Sequence, residues 1–139
     1  MLTVLTGGLT AGIVAAIWSA VLCVWDLRAR RLPDALTLPA GFIALGWAVT
    51  HPVGWWGMAW PLIYLAIGRG VGGGDVKLAL PLGVAVAGVT GGVVGVLVAM
   101  VLASALTLVH AFVVRERAVA HGPSMIAAAW MCCAGAFVH

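Results

Sequence analysis

Apolar residues run along this chain in long blocks, and charged residues fall in three short gaps between them. Residues 1–25 carry no charged side chain. A run of about 20 apolar residues can cross a bilayer as a helix. Residues 26–34 (DLRARRLPD) form the first charged loop. Pro33 steers the residue before it away from helix, so the next helix is predicted to begin near Asp34. Residues 35–68 are again uncharged, too long for one helix and tight for two. Turn-forming residues Thr50-His51-Pro52-Val53-Gly54 divide them, predicting spans over 34–49 and 55–67. Residues 69–77 are the second charged loop. Gly88-Val89-Thr90-Gly91-Gly92 then divides the next apolar block, predicting spans over 76–87 and 92–114. Arg115-Glu116-Arg117 opens the third charged loop, which ends near His121-Gly122-Pro123. Pro123 suits the first turn of a helix, and residues 124–138 are the last predicted span. The glycine pairs Gly8/Gly12, Gly88/Gly92 and Gly91/Gly95 have the four-residue spacing that lets helices approach closely.

Composition fixes the class. The chain is 64% hydrophobic and only 8% charged. An ordinary soluble domain is about 25% charged, so a single water-facing globule is excluded. The expectation is an all-α polytopic membrane protein, one domain over residues 1–139. The amino-terminal run lacks a basic start and a small-residue cleavage pattern, and is expected to be a permanent span rather than a signal peptide. Cys23, Cys132 and Cys133 lie in or beside apolar runs and form no CxxC pair. They read as small packing residues, with no disulfide framework or zinc site.

The placement of the basic residues behind the net charge of +3 gives the orientation. Arg28, Arg30 and Arg31 follow the first span, Arg69 and Lys77 border the loop after the third, and Arg115 and Arg117 follow the fifth. The breaks after spans two and four carry no basic residue. All seven Lys and Arg therefore fall on one side, which the positive-inside tendency makes cytoplasmic. Six transmembrane helices result, with both the N-terminus and the C-terminus outside. No nucleic-acid motif is present.

Four acidic residues remain to be explained. Glu116, between two arginines, reads as a solvated loop charge. Asp34 follows Pro33 at the start of a helix and is expected to act as its N-cap. Asp75 could cap a helix too, but one glycine would shape that turn, and three precede it. Gly72, Gly73 and Gly74 leave the backbone open to close approach by another chain. Asp26 closes a helix, where the macrodipole disfavours an anion. Two aspartates at one membrane face point to an aspartyl hydrolase. Two neighbouring carboxyl groups cannot both ionise easily, so they share a proton. The ionised one takes a proton from water as the water attacks a peptide carbonyl, and the protonated one donates to the carbonyl oxygen. Such chemistry requires no metal and no organic cofactor. Lys77 is placed either as a supporting charge beside the pair or as a snorkelling anchor. His51, His110, His121 and His139 have no His or Cys partner at ligand spacing.

Gly72-Gly73-Gly74-Asp75-Val76-Lys77 resembles the GxGD motif of intramembrane aspartyl proteases, in the form used by type IV prepilin peptidases. The element from Asp26 to Thr37, with Pro33-Asp34 inside it, is similar to the other signature of that family, and Gly122-Pro123 fits its last helix. The resemblance runs from about Trp25 to the end of the chain. It implies that Asp26 and Asp75 are the catalytic pair and that Gly72, Gly73 and Gly74 give access to substrate. It implies prepilin or pseudopilin substrates, whose short basic leader is removed at the cytoplasmic face of a prokaryotic cell membrane, beside pilus-assembly machinery. Longer family members carry a cytoplasmic insert with paired cysteines and methylate the new amino terminus. Here that loop is only residues 26–34, so the resemblance is to the short, peptidase-only form. Arg28, Arg30 and Arg31 would repel a basic leader, and are assigned to anionic membrane lipid or to topology.

Two rival classes are open to the sequence. A non-enzymatic subunit of a pilus or secretion machine would use the aspartates as caps. A small proton-coupled transporter would more often place a carboxylate near mid-bilayer, and none lies there. Presenilin-like proteolysis shares GxGD, but the Pro33-Asp34 element favours the prepilin form.

Overall fold

The computed structural model describes residues 2–138. Among these it contains six α-helices and one 3-10 helix, and no strand. Helix α1 spans Leu2–Ala29, α2 Asp34–Thr50, α3 Ala59–Ile67, α4 Gly73–Thr90, α5 Val93–Val114 and α6 Gly122–Ala136, with the 3-10 helix Pro52–Met58 between α2 and α3. Three of these helices are long and apolar enough to cross a membrane, over Gly7–Ala29, Gly73–Thr90 and Val93–Val114. Helices α2 and α6 are shorter and apolar.

Several boundaries differ from the sequence expectation. Helix α1 continues through Asp26 to Ala29, because Asp-Leu-Arg-Ala does nothing to oppose a helix. It stops at Arg30, which takes a left-handed backbone (φ 50°) and donates its N–H to the Asp26 carbonyl at 2.8 Å. Asp26 therefore sits in the last turn of α1, past the expected boundary at residue 25. The expected span over 55–67 is a 3-10 helix followed by a nine-residue α-helix. Pro52, Gly54 and Gly57 disfavour α-helix over that stretch. Helix α4 outruns its expected end at 87 and closes at Gly91, whose φ of 81° suits glycine.

Helix α4 is the hub. It packs against α2, the 3-10 helix, α3, α5 and α6, while α1 packs on α6. Its buried positions include Leu78, Ala79, Leu82, Val86 and Ala87, joined in the core by Trp60, Val96, Ala99, Ala103 and Met125. The closest approach in the bundle lies where the 3-10 helix crosses α4. A Cβ on Gly57 would collide with the backbone of Gly83 and Val84, and one on Gly83 would collide with the Gly57 carbonyl. The four-spaced glycines divide in role. Gly88 receives the Trp47 ring and Gly95 the Thr90 side chain, whereas Gly8, Gly12 and Gly92 meet nothing within 4 Å. The outward faces of α1 and α5 are apolar, as residues such as Ile13, Ile17, Val101, Leu108 and Phe112 show. Outward apolar faces are what lipid-facing helices present.

Candidate active site

The charged loops meet at one end of the bundle. Arg30 of the first loop pairs with Glu116 of the third at 2.8 Å, and Lys77 of α4 pairs with Asp34 of α2 at 2.6 Å. Between them lies a cleft of about 1050 Å³. Asp26 and Asp75 both line it, as do Gly72, Gly73 and Gly74. Arg30, Arg31 and Arg117, all exposed, stand among its rim residues.

Asp75 is the third residue of α4, so its carboxylate sits in the first turn, where the helix dipole favours an anion. It leans back over Gly72, where a Cβ would lie 3.3 Å from Asp75 Oδ2. Gly72 is thus the one member of the glycine run that this carboxylate crowds. Gly74 is needed for a different reason: a Cβ there would come 3.2 Å from the Leu32 Cβ. Nothing lies within 4 Å of a Cβ on Gly73.

Asp26 is 5% exposed and accepts a hydrogen bond from the Gly122 N–H at 3.0 Å. This resolves the puzzle of an anion at a helix C-terminus. The carboxylate belongs electrostatically to α6, whose amino-terminal N–H groups and dipole favour negative charge. Gly122 must lack a side chain, because a Cβ would lie 2.6 Å from Asp26 Oδ2. Leu32 wedges beside both, 3.5 Å from that same Cβ position.

Two expected roles change. Asp34 does not cap α2. The N-cap is Pro33, which has no side-chain donor or acceptor, and the Asp34 carboxylate turns to the Lys77 ammonium instead. Lys77 correspondingly touches Asp34 rather than either member of the aspartate pair, and ties the start of α2 to α4 beside Asp75. Both partners are half-exposed, so the ion pair is worth only about 0–1 kcal/mol. Lys77→Ala is expected to lower stability by no more than about 1 kcal/mol, read as a small shift in the thermal unfolding midpoint.

The sequence missed a group of polar residues behind Asp26. Tyr64 and Thr107 each hydrogen-bond to His121, and all three line the same cleft. Tyr64, the sole tyrosine, and Thr107 stand in apolar helices, and a buried polar group there calls for a partner. That was the one available signal, and it named no partners. Burial holds the His121 imidazole below the usual histidine range, against an opposing pull from Asp26.

Gly122→Ala tests the Asp26 geometry. The new methyl displaces a carboxylate rather than backbone, so the fold is expected to survive, with thermal stability lowered by roughly 1–3 kcal/mol. Activity is expected to fall at least tenfold, about what one lost hydrogen bond to a charged group costs. Parallel thermal unfolding and cleavage assays separate the two effects.

Together these observations define an all-helical membrane protein with two carboxylates facing one cleft at the charged end of its bundle. A family model described as the type IV leader peptidase family matches residues 13–112, and the chain belongs to that family. The matched stretch contains both Asp26 and Asp75 and stops before Gly122-Pro123. No curated protein and no solved structure matches the chain.

Proposed function

We propose that this protein is a membrane aspartic endopeptidase that removes the short basic leader of type IV prepilins or pseudopilins, with Asp26 and Asp75 as its catalytic pair. The observation that carries this is that two aspartates 49 positions apart in sequence line one cleft, in a chain of the type IV leader peptidase family. One carboxylate takes a proton from water as the water attacks the scissile carbonyl. The other, protonated, donates to the carbonyl oxygen, and the roles reverse to release the amine. The pair titrates as a unit.

The protein is proposed to act in the cytoplasmic membrane of a prokaryote as a single domain of six spans, both termini outside. The clustering of Arg30, Arg31, Lys77 and Arg117 around the cleft supports a cytoplasmic site. Gly72–Gly74, on its wall, admit the substrate backbone. Pro33 sets the start of α2, and Pro123 that of α6. The short loop between α1 and α2 supports a peptidase without methyltransferase activity. Arg31, on the rim, is proposed to face anionic lipid.

The test is co-expression with a small prepilin, followed by mass measurement and amino-terminal sequencing of the pilin. Leader removal that depends on this chain is the expected result. An unprocessed prepilin across a panel of leader-bearing substrates would sink the proposal.

A further inference from the structure

Three helices contribute one polar side chain each to a chain of hydrogen bonds behind Asp26. Thr107 of α5 donates its hydroxyl proton to the Ala103 carbonyl at 3.0 Å. Its oxygen is 2.6 Å from His121 Nδ1 and therefore accepts from that nitrogen. In that arrangement Nδ1 carries the ring proton. Nε2 keeps a lone pair and accepts the Tyr64 hydroxyl at 2.8 Å. Each ring nitrogen has one partner, and every donor meets an acceptor. A second proton on the half-buried ring would place two donors face to face at Nε2 or force the tyrosine to turn.

The consequence falls on the next peptide unit. His121 is the N-cap residue of α6, and the peptide that follows it carries the Gly122 N–H bonded to Asp26 Oδ2. Pro123 restricts Gly122 from the other side. The direction of that N–H is therefore set between a ring held at both nitrogens and a proline. We propose that His121 is a positioning residue of this peptidase: its neutral Nδ1–H imidazole, clamped between Thr107 and Tyr64, fixes the Gly122 amide that orients the Asp26 carboxylate. This rests on the assignment of Asp26 and Asp75 as the catalytic pair. Asp26 is the charged group that acts on the ring, and Tyr64 is the titratable group in contact with it.

The experiment uses the full chain in detergent micelles with a leader-bearing prepilin. Steady-state kcat and KM are measured for the parent, Asp26→Asn, His121→Leu, His121→Asn and Thr107→Val. Nitrogen-15 spectra of labelled histidine report the tautomer at neutral pH. His121→Leu and Thr107→Val are each expected to lower kcat about tenfold, with KM little changed. His121→Asn is expected to recover most of that loss, because its amide N–H stands near the position of Nδ1–H. A role in packing alone predicts the opposite order, leucine above asparagine. The parent spectrum should show an Nδ1–H signal that is absent from His121→Leu and His121→Asn and altered in Thr107→Val.

Unchanged kcat in His121→Leu and Thr107→Val, or an Nε2–H tautomer for His121, overturns the positioning role. With the parent active and Asp26→Asn inactive, that failure leaves the catalytic pair standing. A parent inactive on every prepilin overturns the peptidase assignment, and the positioning role with it.

Discussion

Asp26→Asn and Asp75→Asn are each expected to abolish leader removal while leaving a folded, membrane-inserted protein. Asparagine keeps the size of aspartate and an oxygen that can accept the Gly122 N–H, so the 3.0 Å bond at Asp26 survives. What it loses is the exchangeable carboxyl proton. General acid–base transfer is typically worth about 10²–10⁴ in rate, and either substitution removes the proposed proton-sharing pair. Cleavage should fall by at least that factor in both variants, with thermal unfolding close to the parent's. Asp26→Ala makes the contrast. It strands the buried Gly122 N–H, a loss of roughly 1–3 kcal/mol, so it should lower stability as well as activity. Full processing by one asparagine variant would remove that residue from the mechanism, and full processing by both would end the aspartyl-peptidase reading. A prepilin supplied already cleaved separates this outcome from a purely structural role in pilus assembly.

The second large effect is on the fold. Gly57→Ala and Gly83→Ala are each expected to destabilise the protein by on the order of 3 kcal/mol or more, near the upper end of what overpacking costs. In both cases the added methyl meets backbone rather than a side chain that could swing away. The 3-10 helix would have to lift off α4, and with it the start of α3, which carries Trp60 and Tyr64 into the core. Gly73→Ala is the matched control. Nothing lies within 4 Å of its Cβ position, so its thermal midpoint should stay near the parent's. Comparable midpoints for Gly57→Ala and Gly73→Ala would show that the crossing is looser than the structure has it.

Several features were legible before any coordinates. An uncharged apolar block has one low-energy state in a membrane, a helix with its backbone groups satisfied internally. Helical class, the apolar blocks and the charged gaps between them follow directly from that. Boundaries were less legible where charge stood in for a stop signal. The loop boundary was drawn at Asp26 because the charged run begins there, yet a charge does not end a helix, and the backbone at Arg30 does. The span expected over 55–67 erred in the same way, since an apolar composition does not distinguish α from 3-10 helix.

The two aspartates were legible as candidates because a carboxylate beside an apolar helix is costly and needs a reason. Their neighbours were not. Asp34 has a capping position by sequence, but Lys77, 43 residues away, offers an ammonium at 2.6 Å and takes it instead. Gly122-Pro123 read as a helix start. Only the packing of α1 on α6 shows why that glycine has no side chain and why Asp26 tolerates a helix C-terminus. Tyr64, Thr107 and His121 are 43 and 14 positions apart, on separate elements, and no spacing rule joins them. The sequence by itself determined what each segment must be: apolar blocks as helices, glycine and proline as stops, and Asp26 and Asp75 as residues needing an explanation. The tertiary structure decided which groups those residues meet. Hydrophobic pattern is a local property of the chain, whereas a hydrogen bond or a steric limit depends on which helices lie side by side.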